Sequence, residues 1–326
     1  MSTNRKVMGL EFSLLIFIVL LSIVIGIRNP EFLTIHSILD VLKDSSILLI
    51  SAVGMMMIIL TGGIDLSIGS TLGLSGMVCA LAVRDFPSLP LAVIFCIALF
   101  VGAVIGCVNG VLVARFDILP IMATLGMMNI CRALIYFVAK GKWVNTFELT
   151  KEFIGLSNSN ILGISYLVLI AVLIFAVFSY FLKYSRTGRK IYAVGSNPQA
   201  AKISGISNRN IIFLVYLMMG CLGGIAGLLY TSRYAFASFE SGTGFEMSVI
   251  AACVLGGVSI TGGTGKLTGV LFGVLLIGII DAALPMIQIS SFVKETLEGV
   301  IILVAVVINV LMERKSKRMA LKSRII

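Results

Sequence analysis

The sequence predicts an all-α, polytopic membrane protein of about ten transmembrane helices, some of them interrupted, and three observations carry that prediction. The 326-residue chain is 59% hydrophobic and only 12% charged, against roughly 45–50% apolar and about 25% charged residues in soluble domains. Several apolar runs approach the ~20 residues that cross a bilayer. The basic residues, which give a net charge of +10, gather in a few loops and tails, as membrane orientation signals do. That clustering argues against a nucleic-acid partner and for membrane lipid.

The first predicted span, 12–27, follows Arg5 and Lys6. A basic start and an apolar core resemble a signal peptide, but no small-residue cleavage site precedes "RNPEF", so the segment reads as a retained span. The next spans are 46–61, 66–83, 88–114, 118–139 and 163–182, and after a long polar loop come 211–230, 247–262, 267–285 and 292–311. The third and eighth are short or glycine-interrupted, which suggests re-entrant or half-helices. With both termini cytoplasmic, sixteen of the twenty-five Lys and Arg lie in inside segments and seven in outside ones, the bias expected for that orientation. No Pro- or Ser-rich linker divides the chain, so residues 1–326 read as one transmembrane domain.

Glycine recurs every fourth residue at Gly102, Gly106 and Gly110, at Gly220 and Gly224, and at Gly269 and Gly273. Small residues at that spacing let helix backbones approach closely in lipid, and tight packing within the chain is the favoured reading over a dimer face. "GGIDLSIGS" at 62–70 also aligns with "GGVSITGGT" at 256–264. Glycine-interrupted spans in the two halves of a transporter point to its binding region.

Several chemistries fail on the residues. The nearest approach to an ATP-binding G-x-x-x-x-G-K-[ST] is "ITGGTGKL", with Ile260 and Leu267 in place of the first glycine and the hydroxyl. "GLSG" at 73–76 would need a positioned base for a serine nucleophile, and the single histidine, His36, lies upstream in a polar loop. No catalytic residue, metal site or bound cofactor is indicated. The six cysteines sit inside apolar runs without a C-x-x-C and read as small packing residues.

The loop 183–210 holds six basic residues and no acidic one. Within it "SNPQAAKI" reads as a short helix, capped by Ser196 or Asn197, with Pro198 in the first turn and Gly205 ending it. Charge alone leaves two uses open: a knob for a partner's groove, or a solvated helix held by anionic headgroups.

"TGGIDLSIGS", "LPIMATLGM", "GRKIYAVGSNPQAAKISGI" and "AACVLGGVSITGGTGKLTG" together resemble the permease subunits of bacterial ribose-type sugar ABC importers, over nearly the whole chain. "GTGFEMSVIAACVLGGVSITGGTG" and "GKWV" look closest to the branch for autoinducer-2 and related pentose or deoxy sugars. The resemblance implies a multi-pass protein of the bacterial inner membrane that works as a dimer, with a second copy or a paralogue. It also implies cytoplasmic ATPase subunits, which use ATP and Mg, and an extracytoplasmic sugar-binding protein. ATPase coupling falls on Gly188, Asn197, Ala200, Ala201 and Gly205. Gln199 replaces the acid of the family's E-A-A-x-x-x-G pattern, which puts a Glu-dependent salt bridge in doubt but not the helix. An ion-coupled secondary transporter is the alternative; it would need an intramembrane acidic relay, for which Asp65 and Asp281 are the candidates in the spans.

Asp65 and Ser67 then have two readings: the inner end of a sugar path, or a cap on the following helix. The cap is favoured, since a carboxylate costs ~2.5–3.5 kcal/mol at the membrane centre and less near its edge. Asn109, Thr124 and Asn129 are neutral polar groups within spans, able to face a path or join helices. Arg132 and Asp281 each lie fourteen residues beyond the first residue of their spans, roughly 21 Å in. Equal depth and opposite sign suggest an ion pair near the outer gate.

Overall fold

The computed structural model describes residues 3–161, 163–286, 293, 296, 298–304 and 307. The first nine predicted spans coincide with helices: α1 (Thr3–Arg28), α2 (Ile35–Leu60), α3 (Ile68–Asp85), α4 (Leu91–Ala114), α5 (Pro120–Val138), α7 (Tyr166–Tyr184), α10 (Asn208–Tyr234), α11 (Phe245–Leu255) and α12 (Leu267–Met286). Half of the tenth, 292–311, lies outside the described residues, as does the basic tail after 312. Three short helices complete the set, α6 (Lys151–Asn158), α8 (Arg186–Ser196) and α9 (Pro198–Ile203), with a two-residue β-hairpin, Asn160–Ile161 on Ile164–Ser165.

Starts and stops follow local chemistry. Pro120 opens α5 at a position where the missing N–H costs nothing. Thr34, Thr150, Ser165, Ser185, Asn197 and Ser207 each cap the helix after them with a side-chain oxygen. The eighth span is shorter than predicted. α11 stops at Leu255, so its eleven residues rise only ~16 Å, about half the hydrocarbon core. Gly257, Gly262 and Gly263 take positive φ in the loop that follows, where a continuing helix was expected up to 262.

α2 and α10 form the centre. Every α2 residue from Ser45 to Leu60 is buried, including Met55, Met56 and Met57 at 0% exposure. α10 packs on α2, α3 and α4. The glycine spacing reports these contacts: a Cβ on Gly106 would come within 3.0 Å of the Gly220 Cα, and one on Gly220 within 2.7 Å of the Gly106 Cα. Gly269 and Gly273 of α12 lie as tightly on α11, where added Cβ atoms would overlap the Gly256 and Ala252 carbonyls. These stripes are intrachain seams. α1 is peripheral, touching α12 through Ile18 and Ile25. All six cysteines are free; Cys79, Cys131 and Cys253 are buried, whereas Cys96 is exposed on α4.

Candidate functional site

The break between α2 and α3 is held by an internal polar latch. α2 ends where Gly62 turns to φ +81°, a conformation that suits glycine. The freed backbone must find partners, because hydrocarbon offers none. Asp65 Oδ1 accepts from the Ser67 amide at 2.7 Å and from the Ser67 hydroxyl at 2.6 Å. Asn109 Nδ2 on α4 donates to Ser67 Oγ at 2.9 Å. Thr124 Oγ1 on α5 accepts from the Leu66 amide at 3.1 Å and donates to the Pro120 carbonyl at 2.9 Å. The Tyr216 hydroxyl of α10 lies 3.5 Å from the Ile64 carbonyl. Four of the five residues assigned from sequence to a path thus converge, all of them buried.

Asn129 does not join them. It is exposed, and its amide donates to its own helix at Leu125 O, 3.0 Å away. Five residues on a helix turn through about 140° past a full revolution, so Thr124 and Asn129 cannot serve the same neighbour. The geometry of Asp65 matches the cap, since both Oδ1 contacts tie the chain ahead of α3. Asp65→Asn keeps an acceptor, and should retain most folded protein and part of the activity. Asp65→Leu strands the buried Ser67 N–H, at a cost of about 1–3 kcal/mol. Detergent-solubilised yield and melting temperature check this; equal losses in the two variants would show that charge, not capping, is what matters.

At the same end of the bundle the loop 183–210 forms two helices where one was expected. Ser185 Oγ accepts from the Gly188 amide at 2.8 Å and starts α8. Gly188 is buried at the α7–α8 corner, where a Cβ would fall 2.6 Å from the Leu182 carbonyl. α9 then has the predicted boundaries: Asn197 Oδ1 accepts from Ala200 N at 3.0 Å, Pro198 sits in the first turn, and Gly205 takes φ +79°. Ala201 faces inward at 4% exposure, while Gln199 and Ala200 are exposed and Ile203 is 88% exposed.

α8 is bound to both glycine-rich segments. Gly195 lies against the Leu60 carbonyl with no room for a Cβ, which would also sit 2.6 Å from Gly263 N. Gly263 N donates to Leu60 O at 2.9 Å. Ser196 Oγ donates to Gly263 O at 3.3 Å, and Tyr192 donates to Gly265 O at 3.1 Å. Burial raises the Tyr192 phenol above its ordinary range, so it stays a neutral donor. The end of α2 and the 256–266 loop are thus joined by a backbone hydrogen bond, and α8 meets both at that junction through Gly195, Ser196 and Tyr192. Gly195 and Tyr192 were not singled out from the sequence, and Ser196, read there as a possible cap, ends α8 while Asn197 caps α9. Gly188, Ile191 and Gly195 do repeat at helical spacing, which marks a packed stripe.

The inferred Arg132–Asp281 pair does not form. Arg132 Nη1 donates to the carbonyls of Ser241 at 2.7 Å and Phe239 at 3.3 Å, so it fastens the loop between α10 and α11 to α5. Asp281 instead lines a cavity between α2, α10 and α12. Similar depth fixes one coordinate only, and α5 and α12 share no substantial contact. Arg132→Met leaves two loop carbonyls without a donor. We expect the 238–244 loop of that variant to be cleaved faster by added protease, while α5 still inserts; unchanged cleavage would count against this role.

A bundle of membrane-length helices, broken at two glycine-rich segments that meet under a paired-helix projection, defines a transport permease. The chain belongs to the family described as branched-chain amino acid transport system / permease component, whose model matches residues 37–307. It is similar to Ribose import permease protein RbsC of Escherichia coli K12, 38% identical over 91% of this chain and 92% of that protein. The L-arabinose ABC transporter permease protein AraH of Azospirillum brasilense is 33% identical over 94% and 89% of the two chains. The Autoinducer 2 import system permease protein LsrC of Escherichia coli K12 is 32% identical over 92% and 86%. No solved structure matches the chain.

Proposed function

We propose that this chain is the membrane-spanning subunit of an ABC importer for a pentose, deoxy sugar or autoinducer-2-like molecule, working by alternating access. The observation that carries the reading is the α8–α9 unit, which presents Ile203 outward, packs Gly195 on the end of α2 and bonds through Ser196 and Tyr192 to the loop after α11. Partner ATPase subunits dock on α9, close when they bind ATP and Mg, and shift α8. The junction at Gly195 passes that shift to both breaks. The termini and the 183–210 loop lie in the cytoplasm, and the opposite end meets an extracytoplasmic sugar-binding protein in the bacterial inner membrane. The dimer forms with a second copy or a paralogue, and exposed Asn129 is available to that contact. Asp65, Ser67, Asn109 and Thr124 hold the inner break closed and come within reach of sugar only when it opens. The names of the relatives, ribose, arabinose and autoinducer-2 permeases, support the substrate class.

The test is reconstitution of the chain with its ATPase and binding protein in proteoliposomes. Uptake of labelled D-ribose or L-arabinose should require internal ATP, external binding protein and all three components. Uptake driven by a proton or sodium gradient without ATP would overturn the reading.

A further inference from the structure

We infer that a cavity in the half of the bundle remote from α8 is a low-affinity binding site for a neutral polyhydroxylated ring, an outer station for the sugar within one permease chain; this rests on the sugar-importer reading. The cavity measures about 450 Å³ and lies between α2, α10, α12 and the 240–245 loop. That volume is ample for a monosaccharide with a few waters. Its walls carry Asp44, Ser45, Tyr234, Glu240, Asp281 and Glu298. Carboxylates and phenols are the groups that accept from and donate to ring hydroxyls.

Ser45 adds a neutral polar residue to the wall beside the acidic ones. It is 4% exposed, lines the cavity, and its hydroxyl has no hydrogen-bond partner. A buried polar group left so costs free energy, and sites where this occurs ask for a function. Gly278, also in the wall, packs against that hydroxyl, which fills the place a Cβ would take. A second wall element suits the apolar face of a sugar ring, as the Tyr230 and Tyr234 rings lie 4.7 Å apart, centroid to centroid, at 54°.

Two features favour a neutral ring over a cation. Arg233 Nε already pairs with Asp44 at 3.0 Å, and Ser248 donates to Glu298 at 2.7 Å, so part of the acidity is spoken for. Among the described residues no three His, Cys, Asp or Glu side chains converge closely enough to hold a metal ion. The acceptors are spread around the wall, which matches hydroxyls spread around a ring.

Thr243, exposed and in the cavity wall, offers a reporter. The assembled importer carrying Thr243→Cys is treated with a membrane-impermeant maleimide, and the wild-type chain, whose cysteines all lie within helices, gives the background. Ala282→Cys, in the α12 part of the wall, is a second reporter. Whichever of D-ribose and L-arabinose the complex imports, at 100 mM, should slow alkylation at least fivefold. Glu240→Gln in the Thr243→Cys background should bring the rate back to within twofold of the sugar-free value. Import without protection at either cysteine overturns the inference and leaves the importer reading intact. Protection by calcium but not by sugar, or two cysteines already shielded without sugar by a second copy, also overturns it. Import of neither sugar removes the reading beneath it.

Discussion

Replacing Gly220 with leucine should abolish accumulation of the folded permease. α10 and α4 meet there backbone to backbone: Gly220 lies between Gly102 and Gly106 of α4, and Gly224 lies against Ala98 and Gly102. Ser75 of α3 donates to the Gly224 carbonyl at 2.9 Å, so a third helix is fixed by the same register. In lipid, burying apolar surface gives helices no drive to associate, and close van der Waals contact must hold them. Added methylenes in a well-packed core already cost about 1–3 kcal/mol when side chains can move aside. Here the obstacles are main-chain atoms, and α4 would have to withdraw from α10 along the whole seam. We expect at least a tenfold loss of the monodisperse peak in fluorescence size-exclusion. Gly110→Ala is the control, since its Cβ meets Phe213 at 3.0 Å, partly through a ring that can rotate. Its yield should fall less than threefold. A normal peak for Gly220→Leu would mean the seam is looser than this packing.

What the chain alone revealed is whatever its neighbours in sequence decide. Apolar run length placed nine helices, and the Asn197–Pro198–Gly205 punctuation placed both ends of α9. Spacing of Gly102, Gly106, Gly220 and Gly224 announced a close seam, though not which helices share it. The convergence of Asp65, Ser67, Asn109 and Thr124 was legible only as four polar residues inside apolar spans. Their partners lie up to sixty positions apart, and no local pattern encodes such a pairing. The misassigned Asn129 was avoidable, because its angle from Thr124 around α5 follows from sequence spacing. Arg132 shows the opposite limit. Its partners are backbone carbonyls, which carry no residue identity that a sequence reading could match by charge.

The second large effect is expected at Ile203. Of the residues in α9 it is the one that both exposes a large apolar side chain, at 88%, and sits on the projection. An isoleucine left that bare on a helix of six residues gains nothing for the fold. Burial in a partner groove would return about 1.5–3 kcal/mol. Losing 2 kcal/mol and adding a desolvated carboxylate corresponds to roughly thirtyfold or more in affinity. Ile203→Glu should therefore abolish ATP-driven uptake and lower co-purified ATPase at least tenfold, with permease yield unchanged. Ala201 would make a poor probe of the same surface. It is 4% exposed, so an arginine there would unseat α9 from the bundle and lose coupling without reporting on contact. The pair separates the two causes: Ile203→Glu should leave the melting temperature of the isolated permease where it is, whereas Ala201→Arg should lower it. Gln199 adds a charge-based check, because the position is exposed and carries no acid in this chain. If the groove is read mainly by shape and apolar contact, Gln199→Glu should change co-purification less than twofold. ATPase recovery undiminished with Ile203→Glu would move the docking surface away from α9.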